Sequence, residues 1–237
     1  MAFMPCCLNR LNEDNKMSDR KKFDRREIVK KLSLLSGVGL MTSNPAFASL
    51  VTPFQVKGPF YPIVEQDDTD LDLTRVSGNT ELAKGEVVLV TGQVFDSNGT
   101  PIANAVVDLW QANSDGRYSH EDDKNTAPLD PNFQGWGIVR TGSSGRYRFK
   151  TIVPGPYPLS FLQEIGMRCR HIHFKVTAEG ARELITQMYF AGDPLIAQDL
   201  EIAKLAKDQR SLLIANPTVD QASGLLQYEF NITLENN

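Results

Sequence analysis

Val87-Val88-Leu89-Val90-Thr91-Gly92-Gln93-Val94-Phe95, followed at once by Asp96-Ser97-Asn98-Gly99-Thr100-Pro101, decides the fold class. The first part is dominated by β-branched residues, which fit a pleated strand, and the Asn-Gly pair behind it marks a tight turn. The segment predicts a strand entering a hairpin. Outward from it the same alternation of strand and turn recurs. Ala105 to Gln111 predicts the next strand and Asn113-Ser114-Asp115-Gly116 the next turn. Tyr147 to Val153, entered through Gly142-Ser143-Ser144-Gly145, predicts another strand, followed by one through His171 and His173, one from Leu184 to Phe190 and a closing one from Leu225 to Leu234. Short strands separated by turn signals predict a mainly β fold, an antiparallel β-sandwich with long loops. Helical material is confined to Pro194 to Leu213, enough for one or two short helices. The stretch from Ser119 to Gly135 is too polar for core and too long to be a simple connection, so it is expected to wrap a site.

A chain of 237 residues with 41% hydrophobic residues has material for one domain plus extensions. A net charge of -4 gives no basis for a nucleic-acid partner. The charge is uneven: residues 1–48 carry nine Lys/Arg against five Asp/Glu, and the remainder 16 against 24. The basic leader holds the pair Arg25-Arg26 followed by Glu27-Ile28-Val29-Lys30, an apolar run from Leu32 to Met41, and a small-x-small pattern at Ala46-Phe47-Ala48. It resembles a twin-arginine export signal, with Asp24 where Ser or Thr is usual. The apolar run is too short to span a bilayer, so no stable membrane anchor is expected after cleavage. Met17 is a second plausible start. The expected organisation is a leader over 1–48 and one domain over 49–237, exported to the periplasm or beyond. Cys6 and Cys7 precede Met17, which leaves the mature chain with Cys169 and no internal disulfide.

The chemistry gathers at Arg168-Cys169-Arg170-His171-Ile172-His173-Phe174, which contains two of the chain's three histidines. On a strand His171 and His173 share one face while Ile172 and Phe174 point into the opposite, apolar layer. Two imidazoles on one face are half of a metal site, although such a pair also occurs in ordinary packing. Tyr118 follows the Asn113–Gly116 turn, and Tyr157 stands in Pro154-Gly155-Pro156-Tyr157-Pro158, where flanking prolines fix the direction of the phenol. Alone, Tyr118 reads equally as a half-buried aromatic at a strand end, and Tyr157 as a structural tyrosine corner.

Several motifs occur together in one order: Gly58-Pro59-Phe60-Tyr61-Pro62, Trp110-Gln111-Ala112-Asn113 with Gly116-Arg117-Tyr118, Ala127 to Phe133, the proline-framed Tyr157, Arg168 with His171-Ile172-His173, and Leu184 to Phe190 with Gly192-Asp193-Pro194. Over about residues 55–235 this order resembles the intradiol ring-cleavage dioxygenases, most closely the protocatechuate 3,4-dioxygenase branch. The resemblance implies one ferric ion, Fe(3+), per chain, held by Tyr118, Tyr157, His171 and His173 with water or hydroxide. It implies a catechol-type diol and O2 as the small-molecule partners, ring opening between the two hydroxylated carbons to a muconate-type diacid, and protocatechuate slightly ahead of catechol and hydroxyquinol. Tyr157 is then the ligand that leaves and acts as base. Arg168 stabilises the activated substrate, and Gln187 lies beside the same position. A homo-oligomer is the expected assembly.

The donor types fit such an ion. A phenol with a free pKa near ~10 binds as phenolate only where a strong local cation displaces its proton, and imidazole suits iron. The chain departs from the family in having Cys169-Arg170 where relatives commonly have Pro-Ala; Arg170 should face away from iron. His120 reads as loop surface. Arg117, Arg168 and Arg170 lie close in sequence to the implied ligands and are candidate cations for a ring carboxylate, part of whose cradle can come from a second subunit in relatives. The rival reading is a non-catalytic transthyretin-like sandwich module, supported by Ser144-Gly145-x-Tyr147-x-Phe149 and the Asn98-Gly99 series. Colour distinguishes the two, because tyrosinate-to-ferric charge transfer makes the enzyme burgundy and leaves a binding module colourless.

Overall fold

The computed structural model describes residues 50–64, 68–158 and 166–237; the twin arginine, Met17, Cys6, Cys7 and the Ala46-Phe47-Ala48 pattern lie outside the described residues. In chain order the strands are β1 (Val87–Phe95), β2 (Val106–Trp110), β3 (Trp136–Arg140), β4 (Arg146–Ile152), β5 (Tyr157–Pro158), β6 (Met167–Arg168), β7 (His171–Thr177) and β8 (Leu184–Phe190). Two short helices follow, α1 (Leu200–Ala203) and α2 (Lys207–Ser211), and then β9 (Ile214–Ala215), β10 (Pro217–Val219), β11 (Leu226–Glu229) and β12 (Ile232–Thr233). One sheet is built around β1, with β4 on one side and β11, β10 and β12 on the other; the second has the order β3-β2-β7-β8-β9, and β5 and β6 form a separate ribbon.

The sandwich and both short helices are as the sequence predicts, and β1 and β8 occupy their expected ranges. The strand β3 is not among the expected ones, and three further details differ. The Asn98-Gly99 turn forms, with Gly99 at φ 82, but it is no hairpin: β2 joins the other sheet, and after the turn only Phe95 and Pro101 bridge. The Asp96 carboxylate takes the amides of Asn98 and Thr100, closing the turn locally, while Thr141 of the second sheet's edge holds Ile102 and Ala105. The pairing is also not wholly antiparallel. β11 and β12 run parallel to β1, and β9, reached through the helices, runs parallel to β8. Finally, the closing stretch is split. At its break the side-chain carbonyl of Asn231 accepts from the Gln93 amide, replacing a ladder bond.

The core lies between the sheets. Val88, Val90 and Val94 of β1 and Phe149 of β4 meet Val107 and Leu109 of β2, Ile172, Phe174 and Val176 of β7, and Met188 of β8, all fully buried. Alternation then places the intervening residues of β2, β7 and β8 on the opposite face of the second sheet. The register aligns Trp110, His173 and Gln187 in one row across three strands, with His171 beside Tyr189 in the next. One strand therefore serves the core with Ile172 and Phe174 and a second, polar-lined centre with His171 and His173. The segment 52–61 covers that face: the Gln55 amide donates to Ile185 O at 2.8 Å, and Gln187 Nε2 donates to Val56 O at 2.8 Å.

Candidate metal centre

The Nε2 atoms of His171 and His173 face each other at 3.2 Å, and the Tyr157 hydroxyl lies 3.4 Å from His171 Nε2. The Tyr118 ring stands 5.5 Å from that of Tyr157 and 6.2 Å from that of His173. All four side chains are buried. His171 Nδ1 sits 2.7 Å from Cys169 O, and since a carbonyl only accepts, Nδ1 carries the proton and Nε2 turns its lone pair toward the centre. Trp110 stacks flat on His173 with ring centroids 4.8 Å apart, fixing the second imidazole.

The two phenols are brought together by interlocked loops. The Asn113 side chain accepts from the amides of Asp115 and Arg117, and the Asp123 carboxylate receives the Tyr118 amide at 2.7 Å. The Gly155 amide donates to Asn113 O at 2.8 Å, binding this turn to the proline corner that carries Tyr157. A Cβ on Gly155 would stand 2.4 Å from Gly116 N and 2.5 Å from Ser114 O. Gly155→Ala must therefore push the two loops apart. We expect it to cost about 1–3 kcal/mol in denaturant unfolding, in the range of overpacking substitutions, and to weaken iron retention; wild-type values for both would refute the interlock.

Burial raises the pKa of Tyr118 well above the ordinary phenol value, reinforced by the neighbouring Tyr157 hydroxyl. Tyr157 is also raised by burial, but the Arg168 charge opposes this. Burial lowers both histidines well below the usual imidazole value, assisted for His171 by Arg168 and for His173 by His171 and Arg168. Burial thus favours the neutral form of both phenols and both imidazoles. Tyr118 Oη is buried without a hydrogen-bond partner, and an unpaired buried hydroxyl is costly. A cation among these groups removes that deficit and supplies the charge phenolates need, so the donors fit a metal. Among the described residues no group of three or more His, Cys, Asp or Glu could hold a metal, so the candidate donors are the two phenols and two imidazoles. This set suits ferric iron, whose charge phenolates offset.

Arg168 is beside this centre. Its Nε donates to Asp199 Oδ2 at 2.8 Å and its Nη2 to Gln187 Oε1 at 2.6 Å. The Arg168 side chain is 5% exposed and that of Arg170 is 39% exposed, paired with Asp193 at 3.5 Å, so the structure puts Arg168 inside and Arg170 outside. Arg117 is tied through Nη1 to Ala127 O at 2.6 Å. Sequence reasoning missed Asp199 and Tyr189. Tyr189 donates toward Gln55 Oε1 and Gln187 Oε1, while Asp199 also receives the Cys169 amide and caps α1 through Glu201 N at 2.9 Å. The cap is legible as an Asp before Leu200-Glu201-Ile202; the bond to Arg168 across the chain is not.

Tyr118 and Trp110 also form the wall of a cavity of about 240 Å³, closed by Phe60, His120, Phe133 and Trp136. The Ser119 to Gly135 stretch does wrap the site, and His120, expected on the loop surface, is half-buried in the cavity wall without joining the four donors.

The family model described as Dioxygenase matches residues 56–236. The chain is 42% identical over 180 residues to the protocatechuate 3,4-dioxygenase beta chain of Burkholderia cepacia, covering 74% of this chain and 76% of that protein. It is 36% identical over 162 residues to catechol 1,2-dioxygenase 1 of Acinetobacter lwoffii, covering 64% of this chain but only 50% of that relative's length. Among solved structures, catechol 1,2-dioxygenase from Pseudomonas arvilla C-1 superposes with a TM-score of 0.58 at 31% identity, covering 78% of this chain and 62% of that one.

Proposed function

The chain belongs to the family of intradiol ring-cleaving dioxygenases, and from that membership we propose that it opens a catechol-type diol between its two hydroxylated carbons, using O2 and one ferric ion held by Tyr118, Tyr157, His171 and His173. The observation that carries this reading is the convergence of two buried phenols and two buried imidazoles on one point. A stalk or binding module on the same sandwich has no use for such a cluster.

Held by Tyr118, Tyr157, His171 and His173, a ferric ion would accept the diol as a chelating ligand and, by taking electron density from it, would make the ring reactive toward O2. Catechol plus O2 has the composition of the muconate-type diacid, so no outside reductant is needed. The chain's own residues manage protons and charge. The family resemblance gives Tyr157 as the phenol that takes a substrate proton and Tyr118 as the one that stays in place, and the Arg168 charge beside Tyr157 favours its ionised form. Arg168 holds a fixed positive charge next to the centre, and Asp199 and Gln187 keep its guanidinium from rotating away. Trp110 and Phe60 pack with Tyr118 and Tyr157 in one apolar cluster beside the centre.

Tyr157→Phe retains the other three protein donors and loses the base. We expect iron to remain near one per chain while kcat/KM falls by about 10²–10⁴, the usual worth of a positioned acid or base. Unchanged turnover would remove Tyr157 from the proton path.

Export is part of the same proposal, supported by the basic leader with Arg25-Arg26. Replacing both by Lys should leave the precursor inside the cell, and the exported protein should begin near Ser49; N-terminal sequencing that finds residues before Leu32 on exported protein would contradict this. Assembly as a homo-oligomer completes the reading, and sedimentation of the purified protein tests it.

A further inference from the structure

The expectation of a ring carboxylate requires a cationic cradle, and among the described residues the cavity beside Tyr118 offers none. No described residue lining it is Lys or Arg, and neither residues 65–67 nor 159–165 contain either type. None of the arginines expected to serve lines the cavity: Arg168 is held by Asp199 and Gln187 and Arg170 by Asp193, while Arg117 bonds Ala127 O through Nη1 and keeps a buried Nε without a hydrogen-bond partner. Lys175 is held by Tyr61 at 2.6 Å and by Asp108 at 3.4 Å, and Lys57 lies over the Tyr61 ring, outside the cavity wall. The lining does include one carboxylate, that of the exposed Glu121, together with Ile63, Val64, Phe133 and Trp136. His120 Nδ1 accepts from the Asp122 amide at 3.1 Å, which leaves Nε2 as the ring nitrogen able to donate.

Resting on the ring-cleavage reading above, we infer that this cavity receives the ring substituent of the diol and selects an uncharged, mainly apolar one, an alkyl or alkoxy group, over a carboxylate. A volume of about 240 Å³ suits one substituted ring. A substrate carboxylate there would lose part of its water without gaining a cationic partner, and would be repelled by Glu121 at the exposed rim. An alkyl group would meet the rings of Phe133 and Trp136, and an alkoxy oxygen could accept from His120.

Both tryptophans of the chain, Trp110 and Trp136, line the cavity, so intrinsic fluorescence reports its occupancy independently of turnover. We would titrate the anaerobic iron-loaded protein with 4-methylcatechol and with protocatechuate, then admit air and follow oxygen uptake. The expected result is 4-methylcatechol binding at least about tenfold more tightly, a preference that Glu121→Gln narrows by weakening only the rejection of protocatechuate. Equal or tighter binding of protocatechuate, or no quenching by either diol, would overturn the inference. The expected order of binding without oxygen uptake in air would uphold it and remove the ring-cleavage reading instead.

Discussion

His173→Ala is expected to give a folded, colourless protein with less than about a tenth of the wild-type iron and no measurable ring cleavage. Loss even of groups that merely orient metal ligands costs about 10–100-fold in metal affinity, and His173 is assigned as a ligand itself. Folding should survive because the sandwich core is on the other face of β7, where Ile172, Phe174 and Val176 remain packed. Trp110, which stacks on His173, loses one neighbour but keeps Tyr61 at 4.9 Å. His171→Ala should behave alike. Metal analysis together with circular dichroism separates loss of the site from loss of the fold; full iron and colour in both variants would refute the ligand assignment.

Asp199→Ala should be among the most destabilising single substitutions in the chain. It leaves the buried Arg168 guanidinium without its carboxylate, and breaking a buried ion pair from one side costs about 3–5 kcal/mol. The same change removes the acceptor for the Cys169 amide and the cap of α1, the latter worth about 1 kcal/mol. Asp199→Asn keeps a capping oxygen but not the charge, so it should recover the cap alone and remain well below wild type in denaturant unfolding. Wild-type stability in Asp199→Asn would show that the charge of Asp199 is not needed by Arg168.

Much of this was legible in the sequence, for reasons that differ from residue to residue. The period-two pattern of His171-Ile172-His173-Phe174 states directly that one strand has an apolar and a polar face, and both faces are where the pattern puts them. Tyr157 between prolines was legible because the local backbone fixes its direction. The alternation beyond His171 separated Arg170 from the centre. What was not legible depends on long-range pairing. The Asn98-Gly99 turn is identical in a hairpin and in a sheet-to-sheet corner until the partner strand is known. β3 was missed because Gly135 and Gly137 interrupt its strand signal. Asp199 reaches Arg168 from 31 residues away, and Glu121 and His120 take their meaning from a cavity assembled by Phe60 and Trp136, which no local pattern foretells.

The most direct test of the central claim is the product formed from catechol by the iron-loaded protein under isotope-labelled dioxygen. The predicted result is a muconate-type diacid with both labelled oxygen atoms retained and catechol and O2 consumed in equal amounts. A hydroxymuconic semialdehyde, formed by cleavage beside rather than between the hydroxylated carbons, would contradict it.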